Sequence, residues 1–491
     1  MNPALAAPLR EALLSADFTY DGVAEVLGAR AHDALARNET TPGLRRTTGG
    51  STLETLVRLF LLQTPVPAAL AEAALPGLVD RLAVAGLLEQ SVSEVAARLD
   101  CRPYGTDDDE PLWVVSDLTP GLDGGPQRVG GDHVLGFSPA STSLAQLTLR
   151  EPVGSALDLG TGCGVQALHL ARHSERVVAT DVNARALALA RFNAVLNDVA
   201  DVVEVRDGSF FEPVRGERFD LIATNPPFVI SPATGERLVY RDSGLPGDRV
   251  VEDIVRAAPT HLNPGGWCQV LANWVISVDR PWDERLAEWL SPEHDALVVQ
   301  REVLDPAAYV ELWLKDAGQH GAPDYLHRYD TWLSWFDEQG IEAIGFGWIN
   351  LHASDRSAAP AGRRLELLEW PYDVEQPIAP AIRDWGLAEP GAITLDSFLV
   401  TREDVLQESA GQVGAEDPST IVLRQQRGLR RARQVDTVEA ALVGACDGDL
   451  SVGQIFGALA SILERDVADL ETSYLPVVRD LVAQGFLLSA P

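Results

Sequence analysis

The sequence predicts a doubly wound α/β core, a seven-strand and mostly parallel sheet within residues 129–365, set between smaller helical modules at 1–128 and 366–491. Two observations predict the core. Short apolar or β-branched runs at 156–158, 177–181, 202–206, 219–223, 268–272, 296–300 and 344–350 alternate with helical stretches, which is the pattern of parallel strands covered by helices on both faces. Directly after the first run stands Leu157-Asp-Leu-Gly-Thr-Gly-Cys-Gly164, followed by the helical stretch Val165 to Ala171. Glycines at that junction let a backbone turn tightly against a ligand while a helix begins.

The amino-terminal module reads as helices and then extended chain. Leu9, Leu13 and Leu14 share one helical face, and Val23, Val26 and Leu27 another. Ser51 and Glu54 have capping-box spacing ahead of an apolar run from Leu56 to Leu62. Pro65 and Pro67 end that run. Pro76 opens a further helix carrying Leu78, Leu82 and Val84 and stopping at Gly86. Extended segments near 92–104 and 111–118, joined by an acidic turn at 105–110, make the module winged-helix-like. Its phrase Leu78 to Glu89 returns at Val477 to Leu488, so the carboxy-terminal module is expected to end in a similar helix, glycine and strand. An amphipathic stretch with Tyr329, Trp332 and Trp335 precedes the last core strand.

Composition excludes several classes. With 491 residues, 46% of them hydrophobic, the chain is long enough for about two to four domains. It has no apolar stretch of membrane-spanning length and no export signal, so a soluble, cytoplasmic protein is expected. The four cysteines, Cys101, Cys163, Cys268 and Cys446, lack metal-ligand spacing, and no metal site is expected. Asp and Glu number 72 against 39 Lys and Arg, a formal net charge of −33 that repels phosphate backbones at long range. Any nucleic-acid contact must be local. The segment 424–433 offers one: Arg424, Arg427, Arg430, Arg431 and Arg433 have the spacing of a helical face, for phosphate or for salt bridges to the acidic body.

The chemistry gathers at strand ends. Asp158 precedes Gly160, Thr161, Gly162 and Gly164 in a Gly-x-Gly-x-Gly spacing, which departs from the dinucleotide pattern and does not require a phosphate. Asp181, followed by Val182, closes the second strand, where a carboxylate accepts bonds from both hydroxyls of a ribose. Asp207 and Gly208 close the third and offer a carboxylate to an exocyclic amine. After the fourth stands Asn225-Pro-Pro-Phe228. Its prolines stiffen the turn and leave carbonyls free to accept. An amino group conjugated to a ring or carbonyl is a poor nucleophile. The Asn225 oxygen and the Pro226 carbonyl, by accepting its two hydrogens, direct its lone pair outward. Phe228 supplies a flat face for stacking. The segment 130–142, just ahead of the first strand, is placed to close over a ligand, its Ser and Thr serving equally as helix caps.

On these residues, the region from about 150 to 275 resembles the class I S-adenosylmethionine-dependent methyltransferases. Within them it resembles the branch that methylates amino groups of nucleobases and the glutamine methyltransferases that act on release factors. The resemblance implies that Asp158, Gly160 and Gly162 cradle the amino-acid part of the cofactor, Asp181 holds its ribose and Asp207 its adenine, with Thr161, Gly164, Val182 and Gly208 also in the cofactor site. Asn225, Pro226, Pro227 and Phe228 then hold the acceptor, with Asn225 beside the cofactor as well. The glutamine enzymes usually carry Tyr where this chain has Phe228, while Gly244 to Asp248 and the helix leading to Pro264-Gly-Gly266 resemble their corresponding segment. The main expectation is methyl transfer to a nucleobase amine in RNA, with DNA less favoured. The alternatives are a protein glutamine amide in a translation factor and a non-catalytic scaffold for the flanking modules.

Overall fold

Each of the seven runs forms a strand in the computed structural model, which describes residues 1–105, 111–124, 130–232, 245–316, 319, 322–354, 363–413 and 418–490. The central strands are β1 (Val153–Leu159), β2 (Ser174–Asp181), β3 (Val203–Asp207), β4 (Phe219–Thr224), β5 (Leu262–Ser277), β6 (Asp295–Leu304), β7 (Ile341–His352) and an additional β8 (Leu365–Glu369). Their spatial order is 8-6-7-5-4-1-2-3. Only β7 runs against its neighbours β5 and β6; the other pairs are parallel. The sheet is therefore mostly parallel, as expected, and one strand wider.

Alternation along the strands sends successive side chains to opposite faces. Leu157, Val178, Ile222 and Val270 pack on one side against Val251 and Ile254 of the helix Arg249–Ala257. Ala156, Val177, Leu221 and Leu297 pack on the other against Leu144, Leu147, Leu170 and Trp385. The helix after β4 ends with a short turn at His261, and Pro264 to Gly266 form a register shift inside β5 rather than the end of a helix. Gly266 is required there, because a Cβ would stand 2.9 Å from the Phe219 carbonyl oxygen.

Strand β8 links the core to the carboxy-terminal module. Glu366 accepts from the Arg431 guanidinium at 2.7 Å and from the Trp385 indole N–H at 2.6 Å. Removing a carboxylate from a half-buried pair leaves a cation without its partner. Glu366→Ala is expected to lower the unfolding free energy by about 3 kcal/mol, read from urea denaturation, and a loss below about 1 kcal/mol would deny the pair that role.

Each flanking module combines short helices with a small three-stranded antiparallel sheet. In the first, the helix Thr52–Leu56, extended to Leu61, leads to the strand Val66–Pro67, helices Ala68–Ala74 and Val79–Val84, and strands Leu88–Gln90 and Glu94–Ala97, with the last strand central in the sheet. The second follows the same order through Thr437–Ala445, Asp447–Ser451, Val452–Leu463, Val467–Ala483 and Leu487–Ser489, but Phe398–Thr401, from earlier in the chain, supplies its central strand. The repeated phrase marks the same junction in each. Gly86 and Gly485 take φ values of +80° and +77°, and the next N–H donates back to Leu82 and to Leu481, each at 2.9 Å. Leu14, expected on one face with Leu9 and Leu13, is exposed. The Ser51 and Glu54 capping box forms. Thr106 to Glu110 of the acidic turn and Gly244 lie outside the described residues. Among the described residues no helix is long and apolar enough to cross a membrane.

The arginine segment is a hairpin, not a helix. Thr420–Gln425 and Ala432–Val435 are antiparallel strands, and Gly428 and Arg430 take positive φ in the turn between them. Arg424 pairs with Glu408, Arg427 with Glu403, Arg431 with Glu366 and Arg433 with Glu439. Four of the five cations thus pair with acids of the chain itself, the salt-bridged alternative of the sequence reading, on a hairpin instead of a helix.

Candidate active site

The ends of β1 to β4 are held in register at one edge of the sheet. Leu159 lies opposite both Thr180 and Thr224, and Asp181 opposite Asp207. Thr180 accepts from the N–H groups of Gly160 and Thr161, and the Thr224 hydroxyl donates to the Leu159 carbonyl at 2.7 Å. The glycine turn, Asp181, Asp207 and Asn225 consequently share that edge, the usual place for a ligand on an open α/β sheet.

Gly160 and Gly162 have φ of +80° and +56°, and no atom lies within 4 Å of a Cβ built on either. The turn therefore faces open space wide enough for a ligand to approach its backbone. Gly164 has a different reason: it packs on Ala190, whose Cα lies 3.3 Å from a built Cβ. Gly208 is needed because a Cβ there would meet Pro213 at 2.5 Å.

The acidic residues divide by orientation. Asp181 Oδ2 accepts from Gly162 N–H and Oδ1 from Asn183 N–H, both at 2.9 Å, and each oxygen keeps a further lone pair for a ligand. Val182 beside it is 67% exposed, an apolar face at the same edge. Asp207 is exposed. Asp158, by contrast, is 1% exposed and turned into the fold. Its Oδ2 accepts from the Thr161 hydroxyl at 2.5 Å and from Ala167 N–H at 2.9 Å. The expected contact between Asp158 and a ligand is corrected accordingly: the side chain shapes the turn from beneath, and Thr161 is likewise buried.

Burial pushes the Asp158 carboxyl up to about 7, against the lowering by its bonds to Thr161 and Ala167. The folded protein thus holds a proton that the unfolded chain releases near the ordinary value of 3.8. That contribution is fully present below the ordinary value and is lost as pH rises through the raised one. Asp158→Asn keeps an oxygen for both donors and removes the titration. Its melting temperature relative to the parent is expected to rise between about pH 4 and about pH 7 and to level off above; parallel melting curves would show that ionisation here carries no cost.

At the acceptor side, Asn225 Oδ1 is buried and has no hydrogen-bond partner among the described residues. Such an orphaned acceptor costs about 1–3 kcal/mol unless a ligand donates to it. Phe228 stands edge-on to Trp313, ring centroids 6.2 Å apart. The chain beyond it is fixed by Tyr309 of the helix Pro306–Asp316, whose hydroxyl accepts from Ile230 N–H at 2.8 Å and from Asn273 Nδ2 at 3.0 Å. The sequence reading missed Tyr309 and Trp313, which sit in an ordinary amphipathic pattern. Asp248, in the segment after Gly244, is buried with Arg285 in a two-pronged pair at 2.7 Å and accepts from Val275 N–H. It anchors that segment to β5.

The site thus combines an eight-stranded, mostly parallel sheet, a glycine turn open at its edge and the Asn225-Pro-Pro-Phe228 segment after the fourth strand, and its region is similar to S-adenosylmethionine-dependent methyltransferases. The family described as Methyltransferase small domain matches residues 137–289. Residues 15–98 match Domain of unknown function (DUF7059), and residues 385–489 match Domain of unknown function (DUF7782). The release factor glutamine methyltransferase of Xylella fastidiosa is 39% identical over 129 residues, 24% of this chain and 46% of that protein. That of Aquifex aeolicus is 45% identical over 126 residues, covering 24% and 45%. The ribosomal protein uL3 glutamine methyltransferase of Bradyrhizobium diazoefficiens is 33% identical over 173 residues, covering 33% and 53%. The chain spans about half the length of these curated relatives.

Proposed function

We propose that the protein transfers a methyl group from S-adenosylmethionine to the side-chain amide nitrogen of a glutamine in a protein of the translation apparatus, and so acts in the cytoplasm. The observation that carries this reading is the unpartnered Asn225 oxygen at the edge it shares with the glycine turn. The open space over Gly160 and Gly162, the remaining acceptor capacity of Asp181 and the exposed Val182 and Asp207 fit the cofactor's amino-acid, ribose and adenine parts in turn.

When bound, S-adenosylmethionine supplies an electrophilic methyl group. Asn225 Oδ1 accepts one amide hydrogen and the Pro226 carbonyl the other. These two acceptors would hold the nitrogen so that its lone pair points away from them and favour the partial positive charge that develops on it; as the new N–C bond replaced the methyl–sulfur bond, one amide hydrogen would leave as a proton to water. Phe228, braced by Trp313, offers a flat face to the amide plane. Tyr309 and the prolines keep the turn from relaxing.

A nucleobase amine has the same planar geometry, and two findings favour the protein acceptor over it. The named relatives methylate glutamine, and the arginines that offered a phosphate contact are paired internally. The test is incubation of the full chain and methyl-labelled S-adenosylmethionine with lysate from a strain lacking the protein, divided between nuclease and protease. Label removed by protease alone is expected. Label removed by nuclease alone would return the nucleobase reading.

A further inference from the structure

The amino-terminal module does more than flank the core. Its strand Leu112–Asp117 lies along the helix Ala184–Leu196, where two asparagines one helical turn apart act as strand partners for residues two apart. Asn197 Oδ1 accepts from Trp113 N–H at 2.8 Å, and its Nδ2 donates to the Trp113 carbonyl at 2.7 Å. Asn193 does the same for Val115, at 2.9 and 2.8 Å. The residue spacing of about 3.4 Å per strand position and about 1.5 Å per helix position makes these two repeats nearly equal. The second acceptor of each Nδ2 differs: Asn197 donates to the Asn193 carbonyl of its own helix at 2.8 Å, whereas Asn193 donates to the Cys163 carbonyl, inside the glycine turn, at 2.8 Å.

The same strand holds the segment ahead of β1. Asp117 N–H donates to the Val134 carbonyl at 3.0 Å, Val134 N–H donates to the Asp117 carboxylate at 2.8 Å, and Arg185 pairs with that carboxylate. From the other side, Cys163 Sγ donates to the Leu135 carbonyl at 3.1 Å and Asn183 Nδ2 to the Asp132 carbonyl at 3.1 Å. Tyr104, on the partner strand Leu99–Tyr104, stacks on Phe137 with centroids 4.2 Å apart. The segment is thus fixed between the amino-terminal module and the glycine turn.

We infer that the strand Leu112–Asp117 is a clamp that sets cofactor affinity, with Asn193 and Asp117 as positioning residues that order the glycine turn and the segment over it before the cofactor arrives. The inference rests on the cofactor site proposed above. A turn already ordered loses less freedom on binding, which is the source of the affinity.

The test uses the full chain and S-adenosylhomocysteine in titration calorimetry, with melting temperatures recorded in parallel. Asp117→Ala and Asn193→Ala are expected to raise Kd by about tenfold, while Asn197→Ala, which loses only strand and helix contacts, lowers the melting temperature but keeps Kd within about twofold. The clamp is overturned if Asp117→Ala and Asn193→Ala bind as tightly as the parent, or if Asn197→Ala weakens binding as much as they do. Should Asn193→Ala not fold, the contrast between Asp117→Ala and Asn197→Ala decides. Failure of the parent protein itself to bind S-adenosylhomocysteine overturns the cofactor reading and the clamp with it.

Discussion

Asn225→Ala is expected to lower kcat by about 10²–10³-fold while leaving the Kd for S-adenosylmethionine within about twofold. Its oxygen is buried and without a partner among the described residues, so little in the resting fold depends on it. In the proposed function the hydrogen bond to it would grow stronger as the acceptor nitrogen became positive, so its contribution is expected in the transition state. Truncation leaves the turn standing, because Thr224 and Tyr309 hold it on either side through their own bonds. Full activity in this variant would show that the nitrogen is oriented by some other group; an equal loss of cofactor affinity would make Asn225 a binding residue.

Asp181→Ala should act on the other substrate, raising the Kd for the cofactor by about 10- to 100-fold, the usual worth of one or two charge-assisted hydrogen bonds. Two effects combine. The proposed acceptor for the ribose hydroxyls is removed, and the N–H groups of Gly162 and Asn183 lose theirs, so the turn itself is expected to loosen. With cofactor at saturation, kcat should fall much less than in Asn225→Ala. Calorimetry with S-adenosylhomocysteine separates the two variants, and an unchanged Kd in Asp181→Ala would take the residue out of the site.

Much of the core was legible because its strands are short β-branched or apolar runs between helices, and all seven became β1 to β7. The strand β8, Leu-Glu-Leu-Leu-Glu, was not legible: its charges read as surface chain until the tertiary fold set Glu366 against Arg431 and Trp385. The arginines misled in the opposite way. Their spacing suits a helix, but Gly428 and Arg430 in positive φ turn the chain back, and each strand then meets acids on its neighbours. Sequence placed Asp158, Asp181, Asp207 and Asn225 at strand ends, yet it does not say which way a terminal side chain points. Asp158 faces inward and Asp181 outward. Asn193 and Asn197 carried a readable signal, two amides on the packed face of an alanine- and leucine-rich helix, where an unpartnered polar group is costly. What they bind is a strand some eighty residues earlier, and no local pattern names it.

The acceptor proposed for the methyl group is an amide nitrogen. Its most direct test is tandem mass spectrometry of the acceptor labelled by the parent protein and left unlabelled by Asn225→Ala, with the modified residue located by peptide mapping. One methyl group on the side-chain nitrogen of a glutamine is expected. A methyl group on lysine, arginine, a chain terminus or a nucleobase would contradict it.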